Sequence, residues 1–239
     1  MDRFIDGDYT LRTQDPLNSL LFKQWQTDLA ATGFKTGEVT IQSVDYVIRD
    51  GHPVPIFIKC KADIIEPSGG CHQRIIFLRG PSVALLVVLE TQIAEYAILI
   101  TQTRAAIGRA DYPELPAGMS DGGAVRLAAI RELKEETGLD AADGDLIDLC
   151  QLFYGGNWQG VYPSPGACDE RVHLFLFRKR VSEATVNRLH DKRTGSEIEH
   201  EQLVLKVIRL DDLCTATPDP KAHSAFMMYQ SLRKKGVIQ

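Results

Sequence analysis

One short stretch constrains the fold of this chain more than any other, because it combines a helix with closely spaced acidic side chains. Residues 120–138 predict a single helix, in which Ser120 or Asp121 is the expected N-cap and Gly138 stands where a helix ends in a left-handed residue. Apolar residues recur inside it at helical spacing: Leu127, Ile130 and Leu133.

Two glutamates, Glu132 and Glu136, lie four residues apart in this predicted helix, so both should project from one face, about 5–6 Å apart. Glu135 lies one helical position to the side. Like charges at this spacing repel, and Arg131 and Lys134 offset only part of the repulsion. A divalent cation would make the arrangement favourable; the alternative is a solvated acidic face. The stretch therefore indicates a site for a hard cation.

The sequence Arg-Glu-Leu-Lys-Glu-Glu-Thr-Gly-Leu at 131–139 resembles the Nudix box, the signature of hydrolases that cleave nucleoside diphosphates linked to another group. The sequence Glu-Leu-Pro-Ala-Gly at 114–118 resembles the segment that leads into the box in the branch acting on nucleoside-diphosphate sugars. The spacing departs from the pattern, because one residue fewer separates Gly118 from Arg131 and Ala124 stands in place of a glutamate. One outer acid is therefore missing, while the Arg-Glu-x-x-Glu-Glu core is present.

Charge and composition narrow the classes of function. The chain has 239 residues, 44% of them hydrophobic, which is enough for a substantial core in one or two domains. Its net charge is −5, with basic and acidic residues mixed along the sequence, which argues against a nucleic-acid or membrane-surface partner. A small anionic substrate would then need a bound metal.

The cysteines and the N-terminus indicate a compartment. The five cysteines form no Cys-x-x-Cys pair, which argues against a disulfide framework and against a structural zinc site. The first eight residues lack the basic and apolar regions of a signal peptide, and no apolar run reaches the roughly 20 residues that span a bilayer. We therefore expect reduced thiols and a cytoplasmic protein.

Two regions with different patterns follow one another along the chain. Residues 1–79 contain a predicted helix at 16–33 and three β-rich runs at 38–49, 54–65 and 72–79. Such a small antiparallel unit leaves strand edges uncovered, so we expect it to lie against the main domain or a second subunit. Our hypothesis is that it serves in dimerisation of a homodimer. Residues 80–239 form the predicted main domain.

The main domain alternates strands and helices. Its predicted strands lie at 82–90, 96–103, 146–153, 171–179 and 202–209, and its further helices at 182–190 and 220–234. This order suits an α/β fold, an α/β/α sandwich around a mixed central sheet. The resemblance implies the same fold. Four further stretches of the chain resemble plant-type ADP-sugar diphosphatases: residues 20–25, 79–81, 162–166 and 168–170.

The resemblance to ADP-sugar diphosphatases implies a reaction. Such enzymes hydrolyse ADP-glucose to AMP and glucose 1-phosphate, and related ADP-ribose pyrophosphatases release ribose 5-phosphate. Hydrolysis of a diphosphate requires charge neutralisation and an activated water, and carboxylates that hold Mg²⁺, or Mn²⁺, supply both. Glu132 and Glu136 are the expected ligands, Glu135 is a further site acid, and the resemblance adds the backbone carbonyl of Ala117.

An acidic loop precedes the last core strand and offers a general base. It contains Glu197, Glu199 and Glu201 around His200, and a solvated loop is the alternative. The ADP-ribose branch, which the resemblance brings in, carries its base and an extra metal-binding glutamate in this loop. Because residues two apart in an extended segment point the same way, we assign Glu199 as the base and Glu201 as the further ligand.

Arginines and a proline-rich turn are candidates for substrate binding. Arg79 and Arg104 end predicted strands, and a guanidinium grips two phosphate oxygens at once, although each is equally consistent with a surface arginine. Pro165 lies in a turn near Tyr154, Trp158 and Tyr162, a set that would stack an adenine, wall off a sugar or simply form a loop core. Glu114 and Glu170 are further candidate substrate contacts.

Two functions of other kinds stay open. The missing glutamate at Ala124 would suit a module that binds a nucleotide sugar without cleaving it, although the intact glutamates disfavour this. A triphosphatase acting on damaged nucleotides is disfavoured by the N-terminal β unit and the proline-rich loop. The sequence does not choose the sugar.

Overall fold

The computed structural model describes residues 15–49, 51–120, 123–195 and 202–239. The chain divides into two compact units. The first contains the described residues up to Pro81 together with Ser164–Glu170, and the second contains Ser82–Pro163 and Arg171–Gln239. Among the described residues, no helix has the length and apolar character needed to cross a membrane.

A helix opens the first unit. Helix α1 (Leu20–Ala31) follows a 3₁₀ turn at Pro16–Asn18, and the hydroxyl of Ser19 caps it by accepting a hydrogen bond from the Phe22 N–H at 3.2 Å. The predicted helix at 16–33 is confirmed over Leu20–Ala31. Its buried side chains are Phe22 and Trp25, whereas Leu20 is exposed.

Three antiparallel strands complete the first unit. They are β1 (Lys35–Arg49), β2 (His52–Ile65) and β3 (Cys71–Leu78), in the spatial order β1-β2-β3. Residues of β2 and β3 pack with α1 in one hydrophobic cluster that includes Phe22, Trp25, Ile58, Ala62 and Leu78. The small antiparallel unit predicted from the sequence is confirmed; its role in dimerisation stays a prediction.

The second unit is built on an eight-stranded mixed sheet. Its strands are β4 (Pro81–Glu90), β5 (Glu95–Arg104), β6 (Arg109–Glu114), β7 (Ala117–Met119), β8 (Leu146–Asp148), β9 (Arg171–Arg180), β10 (Arg193–Thr194) and β11 (Leu203–Arg209). The spatial order is β10-β11-β5-β4-β9-β8, with β6 paired to β5 and β7 paired to β4.

Helices cover both faces of this sheet. They are α2 (Val125–Glu132), α3 (Leu149–Tyr154), α4 (Glu183–Leu189), α5 (Leu213–Ala216) and α6 (Pro220–Lys234). Alternate residues of the buried strand β4 belong to two separate hydrophobic clusters, one shared with α3, α5 and α6 and the other with α2 and α4. The predicted α/β/α sandwich is confirmed.

The strand predicted at 146–153 was wrong over most of its length. Only Leu146–Asp148 is extended, because Asp148 accepts a hydrogen bond from the Gln151 N–H at 2.8 Å and thereby caps α3. The apolar run that follows is a buried helix face, which periodicity does not distinguish from a strand over such a short length.

The acidic helix begins later than predicted. Helix α2 starts at Val125, and Ala124 occupies the N-cap position with no capping side chain. Ser120 is therefore not the cap, and Asp121 lies outside the described residues. Leu127 is 65% exposed, whereas Ala128 and Ala129 are buried. After Glu132 the helix widens into a π turn at Leu133–Thr137, and Gly138 ends it with a φ of +75°.

Candidate active site

Helix α2 and its π turn direct two carboxylates at strand β7. Oε2 of Glu136 accepts a hydrogen bond from the Ala117 N–H at 2.8 Å. Oε1 of Glu132 lies so close to Gly118 that a Cβ atom added there would be 1.9 Å away. The side chains are nearly enclosed, with Glu132 7% and Glu136 2% exposed. The structure thus brings both glutamates to the backbone of one short strand.

The π turn fixes where Glu136 points. The hydroxyl of the fully buried Thr137 donates to the Leu133 carbonyl at 2.5 Å and accepts from the Leu139 N–H at 3.1 Å. Thr194 of β10 donates its hydroxyl to the Glu136 carbonyl at 2.5 Å. Single π turns inside helices occur often at functional sites, and this one sets the direction of Glu136 without a glycine or proline.

Arg131 links the acids of the helix. Its guanidinium pairs with Oε1 of Glu132 at 2.7 Å and with Oε2 of Glu135 at 2.9 Å, and it donates to the Met119 carbonyl at 3.3 Å. Arg131 therefore lowers the repulsion between neighbouring carboxylates and holds α2 to the end of β7. Glu135 is more exposed than the other two glutamates and faces Arg131.

Glu114 at the end of β6 is a buried member of a group of four charged side chains. It is 1% exposed; Oε1 accepts from Nε of Arg104 at 2.7 Å, and Oε2 accepts from Nζ of Lys221 at 3.1 Å. Lys221 also contacts Oδ1 of Asp219 at 3.0 Å. The sequence suggested Glu114 as a substrate contact, but both of its oxygens bind cations of the protein itself.

Sequence reasoning missed Lys221 and Asp219. Asp219 before Pro220 is readable as the start of α6, and its side chain does accept from the Lys221 N–H at 3.0 Å. Their pairing with Glu114, more than a hundred residues earlier in the chain, left no signal in the local pattern.

The remaining predicted arginine and acid lie in the first unit. Arg79 pairs with Oε1 of Glu170 at 3.3 Å. Asp169, which sequence reasoning did not single out as a site residue, accepts from the backbone N–H of Arg79 at 2.7 Å and of Gly80 at 3.2 Å. Burial raises the pKa of Asp169 above its ordinary value, although these hydrogen bonds oppose the shift. Pro165 belongs to the same unit, in the segment Ser164–Glu170.

An open aromatic groove of about 270 Å³ lies in the second unit. Its lining residues are Tyr154, Trp158, Gly160, Val161 and Tyr162. The rings of Trp158 and Tyr162 meet edge to face, with centroids 5.8 Å apart, and Trp158 is 56% exposed. The backbone beneath them is fixed, because Val161 exchanges two hydrogen bonds with Val172 of β9. The groove therefore presents two aromatic rings on a rigid support.

The predicted base and further ligand, Glu199 and Glu201, lie outside the described residues, as do Glu197 and His200. Among the residues that the structure describes, no three His, Cys, Asp or Glu side chains are grouped to hold a metal ion. Two carboxylates remain at β7, and their donors are oxygen atoms only. Mg²⁺ and Mn²⁺ prefer oxygen donors, and Mg²⁺ is commonly bound by one or two carboxylates, so the residues fit such a cation.

The fold is an α/β/α sandwich, and its helix α2 and π turn direct two buried glutamates at a glycine-containing strand. This arrangement agrees with the resemblance of residues 131–139 to the Nudix box. The NUDIX domain family matches residues 78–230. The chain therefore belongs to the Nudix hydrolase family and is an enzyme of that family.

Individual relatives agree with this assignment. The chain is 34% identical over 236 residues to "Nudix hydrolase 14, chloroplastic" of Arabidopsis thaliana, a match covering 94% of this chain and 74% of that protein. It is 28% identical over 195 residues to "ADP-ribose pyrophosphatase" of Bacillus subtilis (strain 168), covering 80% of this chain and 91% of the relative. A crystal structure described as an ADP compounds hydrolase matches 84% of this chain and 98% of its own, with a TM-score of 0.50 and 20% identity, which supports the fold alone.

Proposed function

We propose that this enzyme hydrolyses the diphosphate bond of an ADP-sugar, releasing AMP and a sugar phosphate. ADP-glucose, giving glucose 1-phosphate, is the favoured substrate, and ADP-ribose, giving ribose 5-phosphate, is the alternative. The observation that carries the proposal is the pair of buried carboxylates, Glu132 and Glu136, held against β7. The name of the Bacillus subtilis relative supports the substrate class.

Glu132, Glu136 and the backbone carbonyl of Ala117 would hold a divalent cation, Mg²⁺ or Mn²⁺. When bound, such a cation neutralises the diphosphate and polarises its phosphoryl group. The protein needs this help because its own net charge is −5 and the site itself is acidic. Arg131 keeps Glu132 and Glu135 in place through its two ion pairs.

Proton transfer and substrate binding fall to other side chains. Glu199 would take a proton from the attacking water, and Glu201 would supply one more carboxylate to the cation. Arg104 would grip phosphate oxygens of the substrate. Within the first unit, Arg79 is a further candidate phosphate contact that Glu170 would orient through their ion pair, and Pro165 would shape the substrate loop. The rings of Trp158 and Tyr162 would stack on the base or the sugar.

A panel of substrates tests the proposed reaction. Phosphate-containing products are identified for ADP-glucose, ADP-ribose, other ADP-sugars and nucleoside triphosphates, each with Mg²⁺ and with a chelator. AMP and a sugar phosphate should form only with the cation present. Release of inorganic diphosphate from a triphosphate, with no cleavage of ADP-sugars, would replace this function by the triphosphatase alternative.

The position of Ala124 provides a test of the non-catalytic alternative. Ala124 stands at the N-cap of α2 with no side-chain hydrogen bond there. For an enzyme that already hydrolyses its substrate, Ala124→Glu should change the rate little. A rise of about a hundredfold from a rate near zero would indicate that the natural protein binds the nucleotide sugar without cleaving it.

A further inference from the structure

The four residues before β7 and its first residue, 113–117, are held by side chains and strands of the second unit. The Thr217 hydroxyl donates to the Pro113 carbonyl at 2.5 Å, and the Leu115 N–H donates to Oδ2 of Asp219 at 3.1 Å. The Leu85 N–H donates to the Pro116 carbonyl at 2.9 Å. The backbone of residues 113–117 is thus anchored along its length by residues that are distant in sequence.

The last residue of the segment 113–117, Ala117, lies at the proposed cation site. The Ala117 N–H donates to Glu136 at 2.8 Å, and the next residue, Gly118, lies against the Glu132 carboxylate. A displacement of the segment would therefore change the position of the Ala117 carbonyl relative to both glutamates.

Lys221 joins two acidic side chains: Glu114, which belongs to this segment, and Asp219, which binds its backbone. Its ammonium contacts Glu114 at 3.1 Å and Asp219 at 3.0 Å, and only 17% of its side chain is exposed. Glu114 in turn binds the more exposed Arg104, so two cations balance two buried anions. Burial alone would lower the pKa of Lys221, but the charges and hydrogen bonds of Asp219 and Glu114 raise it overall above its ordinary value.

We propose that Lys221 is a positioning residue, which holds residues 113–117 and thereby sets the Ala117 carbonyl against Glu132 and Glu136. Without its ammonium, two buried carboxylates would lose their shared counter-charge and separate, and the segment would move with them. The role in cation binding rests on the proposed function, whereas the anchoring of the segment does not.

Lys221→Met removes the ammonium and keeps most of the side-chain length. Hydrogen exchange followed by mass spectrometry reports on the anchoring, and we expect at least tenfold faster exchange in peptides that cover 113–119. Electron paramagnetic resonance of free Mn²⁺ reports on the cation site, and we expect the dissociation constant for Mn²⁺ to rise about tenfold or more. Lys221→Arg, which keeps a cation, should restore most of both properties.

Arg233→Met is the matched control, because Arg233 lies on the same helix, α6, and pairs with Glu95 at 2.5 Å far along the helix from Lys221. It should lower the melting temperature yet leave the exchange of 113–119 and the affinity for Mn²⁺ unchanged. If Lys221→Met does not fold, Lys221→Gln takes its place in both measurements.

Hydrogen exchange and Mn²⁺ binding together distinguish a failure of this inference from a failure of the proposed function. Unchanged exchange of 113–119 in the Lys221 variant would overturn the inference, as would faster exchange with an unchanged affinity for Mn²⁺. A wild-type protein that binds Mn²⁺ but cleaves no ADP-sugar would refute the proposed substrate and leave the inference standing. If the wild-type protein binds no Mn²⁺, the proposed function and the positioning role both fail.

Discussion

At the scale of single residues, close contacts decide where the carboxylates of the site lie. Gly118 has no side chain, and the Glu132 carboxylate occupies the space that a Cβ atom would need, at 1.9 Å. A contact that short is incompatible with any side chain, so either the strand or the glutamate would have to move. The glycine is therefore part of the site, although it contributes no functional group.

Gly118→Ala should consequently lower kcat by about 10²-fold with little loss of folded protein, since misplacing a catalytic group by about 1 Å costs that much. Steady-state kinetics at saturating Mg²⁺ measure the effect. Gly144→Ala is the control, because no atom lies within 4 Å of the position that a Cβ atom would take there. A Gly118→Ala enzyme with wild-type kcat would show that Glu132 need not stay where the structure places it.

His173 on β9 is a buried group whose protonation the fold disfavours. It is 7% exposed, and its Nε2 has no hydrogen-bond partner among the described residues. Burial, with a smaller contribution from Arg171, lowers the pKa of His173 from 6.5 to about 4. The neutral ring is therefore the form that the folded protein holds at neutral pH.

This shift predicts a loss of stability in acid. The unfolded chain takes up the proton of His173 below its ordinary pKa of 6.5, whereas the folded chain does so only near 4. The free energy of unfolding is therefore expected to fall by roughly 3 kcal/mol as the pH decreases from 6.5 to about 4. Urea unfolding at pH 7 and pH 4 should show that His173→Leu loses less stability in acid than the wild type by about this amount. Equal losses in the two proteins would contradict the shift.

At the scale of secondary-structure elements, the sequence predicted most helices and strands but not the changes inside them. The spacing of Leu127, Ile130 and Leu133 predicted one apolar face, yet Leu127 is exposed, because α2 turns the small residues Ala128 and Ala129 towards the core instead. The strand predicted at 146–153 became α3 because one side chain, Asp148, caps it. In both places the local apolar pattern alone does not determine which residues face the core or which element forms.

Candidate site residues could be predicted from the sequence where the type of side chain and a short spacing along one helix both indicate the same site. Glu132 and Glu136 are close in sequence and carry the acidic pattern themselves, and the structure directs both at β7. Lys221 and Asp219 were not predictable, because only the fold brings α6 to Glu114. Sequence spacing reports contacts within an element, whereas contacts between distant elements require the sheet order.

The π turn offers a test at this scale. Thr137→Val keeps the shape of the side chain but removes the hydroxyl that bonds the Leu133 carbonyl and the Leu139 N–H. Because Thr137 is fully buried, we expect a loss of about 1–3 kcal/mol in the free energy of unfolding. Thr215→Val, at an exposed threonine, is the control. Loss of less than about 0.5 kcal/mol at Thr137 would mean that its hydroxyl does not hold the turn.

At the scale of the whole molecule, the first unit is the proposed dimerisation region. Strand β3 is at the edge of the three-stranded sheet and carries an exposed Ile75. Edge strands with exposed apolar side chains are prone to pair with another chain. A homodimer and a cytoplasmic location remain proposals for this protein; the Arabidopsis thaliana relative is named as chloroplastic.

Sedimentation at micromolar concentration should therefore give a dimer for the wild type. Ile75→Lys should shift the protein towards monomer, because it places a charge on the exposed edge strand. Ile93→Lys changes another exposed isoleucine, in the second unit, and should leave the dimer intact. A wild-type monomer would refute the proposed dimer.

The proposed reaction depends above all on Glu132 and Glu136 holding the cation that hydrolysis requires. The most direct measurement is AMP release from ADP-glucose and ADP-ribose across a Mg²⁺ titration, for the wild type, Glu132→Gln and Glu136→Gln, with circular dichroism to verify the fold. Each variant should lose about two to four orders of magnitude in rate, and a chelator should abolish wild-type turnover. Glu135→Gln, whose carboxylate pairs with Arg131, should lose less. Wild-type rates in the Glu132 and Glu136 variants, or turnover that survives the chelator, would contradict this role of the two glutamates.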